Sequence, residues 1–492
     1  MQGVVAPGNA AVPAAPRAPL SVGTLSVAGS YSQAASAVYQ VDISHTGNDL
    51  IDVTGPAALA GGMVQARLRA LSLRPADSYR ILSASGGLTG TFAGVTTLNP
   101  FATTSLAYDA GNAYLVVARG FALAGGTPNE IAVETALDRD AFAAGTSVAP
   151  SRDFLSVAIE LFNVEGTAAY AAIDQLSAEA YAALPNAHYA AARAGMNAVD
   201  SRLVDETCTP AAPAARFCAW ATVLGNTGRI GGYDTWLSQD INLAGVMAGV
   251  DYQWTPAFTG GVAFGYVHGN TFTHSLPVHG QFDSYQAVLY GRYTAGRYWF
   301  RQALGYARNI DEMRRDITFT EVPRRATGGA HGNQFFTALR TGVDLPLAMP
   351  GVLSPFAGAE LQSVKLSGTT ETGADSVNLV LPSRTTHSVR SLLGTEWRHL
   401  FDGPGGAWRI DAAAAWVHTF GTNTLAIDAR YAGAPATSFT VHGSGQSRNA
   451  AQLRLGMSVS PTPRSRLSIR YDGELGTHGS THGGALGFSY HW

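Results

Sequence analysis

The chain ends in the stretch Leu486-Gly487-Phe488-Ser489-Tyr490-His491-Trp492, in which apolar residues alternate with small or polar ones. In a soluble domain such a strand would be an unprotected sheet edge. In a closed membrane barrel the same strand pairs with the first strand, its outer face meets lipid, and its aromatic side chains lie at the bilayer interface. The terminal stretch therefore predicts a transmembrane β-barrel.

The composition agrees with a barrel. Among the 492 residues are 56 glycines and only 14% charged residues, and the mean hydropathy is +0.05. A helical membrane protein needs apolar runs of roughly 18 residues or more, which the sequence lacks. In a barrel only alternate residues face lipid, so the average hydropathy stays near zero. The net charge of −3 gives no basis for nucleic-acid binding.

From Trp220 onward the sequence breaks into segments of about ten residues with a period of two, which predicts about twelve strands. We expect them to begin near residues 219, 244, 258, 283, 297, 333, 353, 386, 407, 450, 465 and 482. Short connections, such as 255–256 and 461–463, alternate with the expected long polar loops 269–281, 311–332, 367–386 and 421–448. A soluble sandwich also has alternating strands, but short turns on one rim and long loops on the other are typical of outer-membrane barrels.

Several charged residues fall on the face opposite the apolar one. In a dry sandwich core each would be costly, whereas in a barrel they line a wet lumen. The residues that we expect to line the lumen are Arg340, Asp344, Arg390, Glu396, Arg398, Arg470 and Glu474.

The segment before the barrel is rich in alanine and predicts a helix from about residue 187 to 205, with Asn186 as its N-cap. About nineteen helical residues span nearly 30 Å, the thickness of a bilayer core. A slim helix of this length can thread the pore. A surface amphipathic helix is the alternative, although no strong apolar stripe supports it.

The N-terminal region contains short strands separated by turn signals, which fit the rungs of a parallel β-solenoid. The expected domains are a disordered leader or linker (1–19), the solenoid (20–150), a helical linker with the pore helix (151–218) and the barrel (219–492). The first seven residues lack the basic and apolar regions of a signal peptide, so we expect the export signal to lie upstream.

No cofactor or metal site is expected. Cys208 and Cys218 lie ten positions apart without a Cys-x-x-Cys spacing, which favours a disulfide over a pair of free thiols. His478 and His482 have a metal-like spacing, but a solvated loop is the stronger interpretation. The sequence also lacks a Gly-x-Ser-x-Gly or His-Glu-x-x-His motif, so we expect no enzyme active site.

The order of solenoid strands, alanine-rich helix, twelve-stranded barrel and aromatic C-terminus resembles the autotransporters of type Va secretion. The resemblance covers nearly the whole chain, and no single motif in it is specific. The stretches that carry it are residues 23–31, 49–55, 79–82, 86–92, 106–110, 114–117, 176–181 and 488–492.

The resemblance implies a barrel in a Gram-negative outer membrane that exports its own N-terminal passenger to the cell surface. It implies that residues 106–117 belong to a folding-promoting segment, and that Phe488, Tyr490 and Trp492 form the signal for assembly. The resemblance also implies a monomer whose partners are outer-membrane lipid and lipopolysaccharide, the barrel assembly machinery, periplasmic chaperones and the passenger itself.

Some members of this family cut themselves within the pore helix by attack of an asparagine amide on its own backbone. The resemblance implies Asn197 and Ala198 as the candidate bond, with Asn186 and Ala187 as the weaker one; an ordinary helical asparagine is the alternative. At the level of function, a surface adhesin that uses the solenoid and long loops is the alternative to a translocator. A porin is the weaker option, because the helix should plug the lumen.

Overall fold

The computed structural model of the chain describes residues 3–8, 20–45, 47–69, 76–142, 148–204, 216–231, 235–321, 323–346, 350–421 and 424–492. Within them lie an N-terminal region of short strands, a group of helices and a barrel. Elements are numbered in chain order.

The N-terminal region is built from short strands, most of them parallel. They are β1 (Val4–Val5), β2 (Thr24–Val27), β3 (Tyr31–Gln33), β4 (Val38–Ser44), β5 (Gly47–Asn48), β6 (Leu50–Val53), β7 (Ala57–Ala60), β8 (Met63–Leu68), β9 (Ala76–Ala84), β10 (Leu88–Thr91), β11 (Gly94–Thr97), β12 (Ala102–Tyr108) and β13 (Asn112–Arg119). The parallel sheets are β1-β4-β8-β11, β3-β7-β10 and β2-β6-β9. Apart from β5, the strands β1 to β11 belong in chain order to the first, third and second of these sheets in turn, as in a three-sided solenoid.

Alternating side chains fill this solenoid. Tyr39, Val41 and Ile43 of β4 are fully buried, because every second residue of a strand points to the same face. Gly90 has φ +75°, and a Cβ there would lie 1.9 Å from the carbonyl oxygen of Leu59, so the turn requires glycine. The solenoid ends in β12 and β13, which pair antiparallel with each other, while β13 also pairs with β9.

Part of the segment 1–19, which we expected to be a disordered leader or linker, forms a short strand. Val4 and Val5 pair in parallel with Val38 and Tyr39, so this short piece adds to one solenoid sheet. Residues 9–19 lie outside the described residues.

The described residues between the solenoid and the barrel contain five α-helices: α1 (Pro128–Phe142), α2 (Arg152–Phe162), α3 (Ala168–Asp174), α4 (Glu179–Ala183) and α5 (Pro185–Val204). The prediction that Asn186 caps the last helix is wrong, because α5 begins at Pro185. Proline is favoured at the first helical position, where its missing N–H has no helical partner anyway. Asn186 lies inside the first turn instead, where its Nδ2 donates a hydrogen bond to the carbonyl oxygen of Ser444 at 2.8 Å.

Among the described residues, we find no helix that combines the length and the apolar character needed to cross a membrane.

Twelve antiparallel strands close into a barrel, as predicted. They are β14 (Phe217–Ile230), β15 (Gln239–Thr255), β16 (Phe258–Thr273), β17 (Val278–Ala295), β18 (Tyr298–Ile317), β19 (Arg324–Val343), β21 (Val352–Leu366), β24 (Arg384–Gly403), β25 (Gly406–Phe420), β28 (Asn449–Thr462), β29 (Ser465–Gly476) and β30 (Gly479–His491). A two-residue strand, β20 (Leu345–Pro346), pairs with the start of β21. Closure comes from β14 and β30, which pair from Cys218 opposite His491 to Ile230 opposite Gly479.

The two ends of the barrel differ. At the end that we call the turn end, connections such as 256–257, 296–297, 404–405 and 463–464 are two residues long. We call the opposite end the loop end. There the predictions of long loops at residues 269–281 and 311–332 are wrong, because most of these residues belong to paired strands. Strands β16 and β17 leave only residues 274–277 between them, and β18 pairs with β19 as far as Ile317 opposite Arg324.

The other two long loops fold into structure of their own. They contain β22 (Thr369–Thr370), the short 3-10 helix η1 (Asp375–Val377), β23 (Leu379–Leu381), β26 (Thr424–Tyr431) and β27 (Ala434–Ser444). These strands form the sheet β22-β23-β26-β27, which we call the loop sheet. Helices α1–α4 pack with it and with the ends of β18 and β19 around one hydrophobic core, and this assembly is the cap.

The outer wall of the barrel is apolar. Its aliphatic surface includes Val223, Val262, Leu289, Leu304, Leu393, Leu455, Ile469 and Leu486, all exposed. Near the turn end Phe258, Tyr293 and Phe300 are register partners on neighbouring strands, and Tyr266 and Tyr285 pair farther up. An aliphatic band with flanking aromatic residues is the surface that a bilayer requires.

Candidate functional site

Helix α5 fills the lumen of the barrel. It lies against strands on several sides of the wall: Gln286 of β17 donates to the carbonyl oxygen of Ala191 at 3.0 Å, and Gln334 of β19 donates to that of His188 at 3.2 Å. The helix fits because its side chains are small. At Gly195 a Cβ would lie 2.1 Å from Oε1 of Gln286, so even a methyl group requires that the wall shift.

A cluster of paired charges holds the C-terminal part of α5. Asp200 receives Nη1 of Arg340 at 2.5 Å and Nη1 of Arg454 at 2.6 Å, and Arg301 lies 3.5 Å away. Glu396 accepts from Arg301 at 2.8 Å. Buried charges are tolerated when they are paired and hydrogen-bonded, and removal of one partner leaves the others uncompensated. The cluster therefore fixes the position of the helix along the pore.

The C-terminal end of α5 is also bound by arginines. Arg409 donates to the carbonyl oxygen of Val204 at 2.7 Å and Arg292 to that of Leu203 at 3.1 Å. The last carbonyl groups of a helix have no partner within the helix and carry partial negative charge, so cations bind there favourably. Arg202 adds an ion pair with Asp251 at 2.7 Å.

The N-terminal end is held at the loop end of the barrel. There Nε2 of His188 lies 2.7 Å from Oδ1 of Asp311, and both side chains are fully buried. Tyr189 donates to the hydroxyl of Thr386 at 2.9 Å. The helix thus runs from the loop end toward the turn end, where the barrel begins at β14.

The residues that we expected to line the lumen are drawn together in several groups. Arg340 joins the Asp200 cluster together with Glu396, which contacts Arg301. Arg390 pairs with Glu474, and Arg398 pairs with Asp344. Arg470 lines a narrow polar cavity beside α5 together with Asn197 and Asp472.

Sequence reasoning missed the centre of this arrangement. Asp200, Arg301 and Arg454 were not among the expected residues, although Asp200 is the one acidic residue of α5. A lone acid in an alanine-rich helix of bilayer length was the signal that could have found it.

The candidate scissile bond lies inside α5. The hydroxyl of Ser201 donates to the carbonyl oxygen of Asn197 at 2.6 Å, and Nη2 of Arg454 donates to its side-chain oxygen at 3.3 Å. Two groups therefore bind the atoms that would take part in an attack by the asparagine amide on its own backbone. The weaker candidate, Asn186, is bound to the loop sheet through Ser444.

The last strand presents its aromatic side chains outward. Phe488, Tyr490 and Trp492 are 48%, 41% and 51% exposed, and the ring of Trp492 stacks on Phe217 with their centroids 6.1 Å apart. The first and last strands are thus joined by an aromatic contact at the turn end.

Two further sequence candidates are the cysteine pair and the histidine pair near the C-terminus. Cys208 lies outside the described residues, so the disulfide with Cys218 stays a prediction. His482 bonds to the hydroxyl of Tyr471 at 2.8 Å. Among the residues that the structure describes, no group of three or more His, Cys, Asp or Glu side chains has the arrangement to hold a metal ion.

Comparison with known proteins gives one family. The model of the autotransporter beta-domain matches residues 219–472. Esterase EstA of Pseudomonas aeruginosa is 25% identical over 241 residues, which cover 48% of this chain and 36% of EstA. The chain therefore matches about a third of the length of this curated relative.

Two solved structures with a similar fold are translocator domains of autotransporters. The translocator domain of NalP from Neisseria meningitidis has a TM-score of 0.48 at 15% identity. The match covers 61% of this chain and 97% of the chain of that translocator domain. The beta domain of the Bordetella autotransporter BrkA has a TM-score of 0.43 at 16% identity. The match covers 56% of this chain and 99% of the chain of that beta domain.

Proposed function

This chain belongs to the autotransporter family, whose beta-domain matches just over half of it, and from that premise we propose that residues 20–150 are the end of its passenger. The barrel is an outer-membrane translocator that exports a passenger to the cell surface. It is not itself an enzyme. The loop end then faces the outside and the turn end faces the periplasm.

One observation carries the assignment of the passenger. Helix α5 passes through the barrel with Pro185 at the loop end, on the side of the solenoid, and Val204 near the start of β14. A chain that is held in this way has its N-terminal part outside and its barrel in the membrane.

An epitope placed at the exposed turn Gly29-Ser30 tests the proposal in intact cells. We expect antibody to label it without permeabilisation. The same epitope at the exposed turn Pro404-Gly405 is the matched control and should be labelled only after the outer membrane is opened. Equal labelling of both turns, or of neither, in intact cells contradicts the proposal.

The terminal aromatic strand supports a second part of the proposal, that the barrel assembly machinery binds Phe488, Tyr490 and Trp492. In this proposal periplasmic chaperones first deliver the chain to the outer membrane, where the folded barrel contacts lipid and lipopolysaccharide. Substitution of Trp492 by serine should lower the amount of heat-modifiable barrel in the outer membrane. The control is Trp254→Ser, an equally outward-facing tryptophan of a different strand. A loss of the same size in both variants argues against a terminal signal.

The contacts of Asn197 favour a second candidate function, self-cleavage inside the pore. The amide nitrogen of Asn197 would attack its own backbone carbonyl carbon and lose a proton. The bond to Ala198 would break, leaving a succinimide on one fragment and a free amino group on the other. Ser201 and Arg454 would hold the reacting carbonyl and the side chain. Mass spectrometry of the purified barrel should find Ala198 as its first residue, and Asn197→Ala should abolish that product.

A further inference from the structure

The cap joins three parts of the chain through one continuous core. The solenoid end, the helices α1–α4 and the loop sheet all contribute fully buried side chains to it. Its aromatic members include Phe101, Phe121, Phe154, Phe162, Tyr431 and Phe439. Such a core cannot be pulled apart without exposing apolar surface to water, which is the main cost that opposes separation.

Aromatic contacts connect the solenoid to the helices. The ring of Phe162 stacks on Phe121 with centroids 4.7 Å apart and meets the edge of Phe101 at 6.0 Å. The side chain of Asn99 donates to the carbonyl oxygen of Phe162, and Tyr170 donates to the carbonyl oxygen of Ala124 at 2.6 Å. The solenoid is thus seated on α2 and α3 as well as being continuous with α1.

Helix α1 is bound directly to the loop sheet. The side chain of Asn129 donates to the carbonyl oxygen of His442 and accepts from its N–H, both at 2.8 Å, in the manner of a backbone pair. The hydroxyl of Thr437 donates to Asp140 at 2.5 Å. These bonds place both ends of α1 on β27.

Helix α2 has its own connection to the barrel. Arg324 forms two hydrogen bonds to the carboxylate of Asp153, at 2.7 and 2.8 Å, and the N–H of Ser376 also donates to this carboxylate. The N–H of Ser151 donates to the carbonyl oxygen of Gly433 at 2.7 Å. Because the bidentate arginine bond is directional, it adds specificity to the apolar contact.

We propose that the cap is a docking interface that keeps residues 20–142 on the loop end of the barrel even after the backbone between them and the barrel has been cut. The occupant is this segment of the same chain, seated through Phe101, Phe121 and α1. The inference rests on the proposed export of the segment. Cleavage of the chain then yields a two-piece surface protein and no free passenger.

A specific cut outside the pore tests this docking. Val148 is 51% exposed and lies between α1 and α2, so a protease recognition sequence inserted after it lets the full-length chain be cut on intact cells. With an epitope at Gly29-Ser30, we expect the N-terminal fragment to sediment with the cells after complete cutting and to enter the supernatant only in urea. Immediate release in buffer overturns the docking and leaves export intact. Resistance of intact cells, with cutting after permeabilisation, overturns the export premise and the inference with it.

Two substitutions on one strand show whether the loop sheet is the surface responsible. Val441 of β27 is fully buried in the cap, whereas Ser438 lies on the opposite, exposed face of the same strand. An unpaired carboxylate in the core is costly, so Val441→Asp should raise the released fragment by roughly tenfold or more. Ser438→Asp should leave the released amount unchanged.

A gentler variant guards against general misfolding. Asn129→Ala removes both bonds to His442 without adding a charge, and should release an intermediate amount of fragment. Heat-modifiable migration of the barrel piece must match the parent in every variant that is compared. Full retention of the fragment in both Val441→Asp and Asn129→Ala, with a closed barrel, overturns the interface.

Discussion

The lumen and the cap differ in how much charged groups contribute to holding the polypeptide. In the lumen, apolar side chains of α5 pack on the barrel wall, and buried arginines also pair with Asp200 and with the helix C-terminus. In the cap, one large hydrophobic core connects the elements, and burial raises the pKa of acidic residues such as Glu134 and Asp174.

The buried ion pairs and the apolar contacts therefore have different roles. Paired charges are directional and fix the register of the helix, but replacing water by a partner yields a small net gain. Apolar burial is not directional but supplies most of the free energy of association.

The largest effect is expected from Asp200→Ala in the lumen. The substitution leaves Arg301, Arg340 and Arg454 without their shared partner, and breaking a buried ion pair costs about 3–5 kcal/mol. The temperature at which the barrel loses its heat-modifiable migration should fall. Asp240→Ala removes an exposed pair with Arg229 and should cost less than about 1 kcal/mol. Equal shifts in the two variants would count against a special role of Asp200.

Phe162→Ala should weaken the cap by about 3 kcal/mol, because it removes the ring that joins Phe101 and Phe121. Urea-dependent release of the cut N-terminal fragment should therefore shift to lower concentration. The heat-modifiable transition of the barrel should stay in place. A shift of both transitions by the same amount would show that the two regions are not separate.

Gly443→Ala should cost about 1–3 kcal/mol at the junction of the two regions. A Cβ at this position would lie 2.6 Å from the backbone nitrogen of Ala183, so the loop sheet must move away from α4. Gly225→Ala is the matched control, because its nearest neighbour is a carbonyl oxygen at 3.8 Å. Urea-dependent release should change in the first variant only.

The smallest effect is expected from pH, which acts on buried carboxyl groups of the cap. Burial raises the pKa of Glu134 to about 7, with Glu130 and Asp138 adding repulsion, and raises the pKa of Asp174 to about 7. The folded cap therefore binds more protons than the unfolded chain between pH 4 and 7, so its stability falls as the pH rises through that window. The urea midpoint of fragment release should be lower at pH 8 than at pH 5.5. Glu134→Gln should reduce this dependence, and an unchanged dependence would exclude Glu134 as its source.

The barrel could be predicted because its signals are local. Alternation along each strand predicts the number of strands. The outward-facing aromatic residues of 486–492 predict that the last strand pairs with the first and closes the barrel. The strand boundaries at the loop end could not be predicted in this way. Strands β18 and β19 continue as a paired ribbon as far as Ile317 and Arg324, where the sequence reads as a polar loop.

The ion pairs of the lumen illustrate a second limit. Arg390 and Glu474 are recognisable as charges on an inward face, but their pairing across 84 positions depends on the curvature of the wall. The contact of Arg454 with Asp200 spans 254 positions and requires the helix to be inside the barrel first.

Residue periodicity and segment length act over a few neighbouring positions, so they suffice to predict a twelve-stranded membrane barrel with a slim helix of pore length. The folding of two loops into a sheet, the packing of α1–α4 on that sheet and the choice of arginines that bind Asp200 follow from the tertiary structure. Those contacts join residues that are far apart in the chain, and their free energy depends on which surfaces the completed fold brings together.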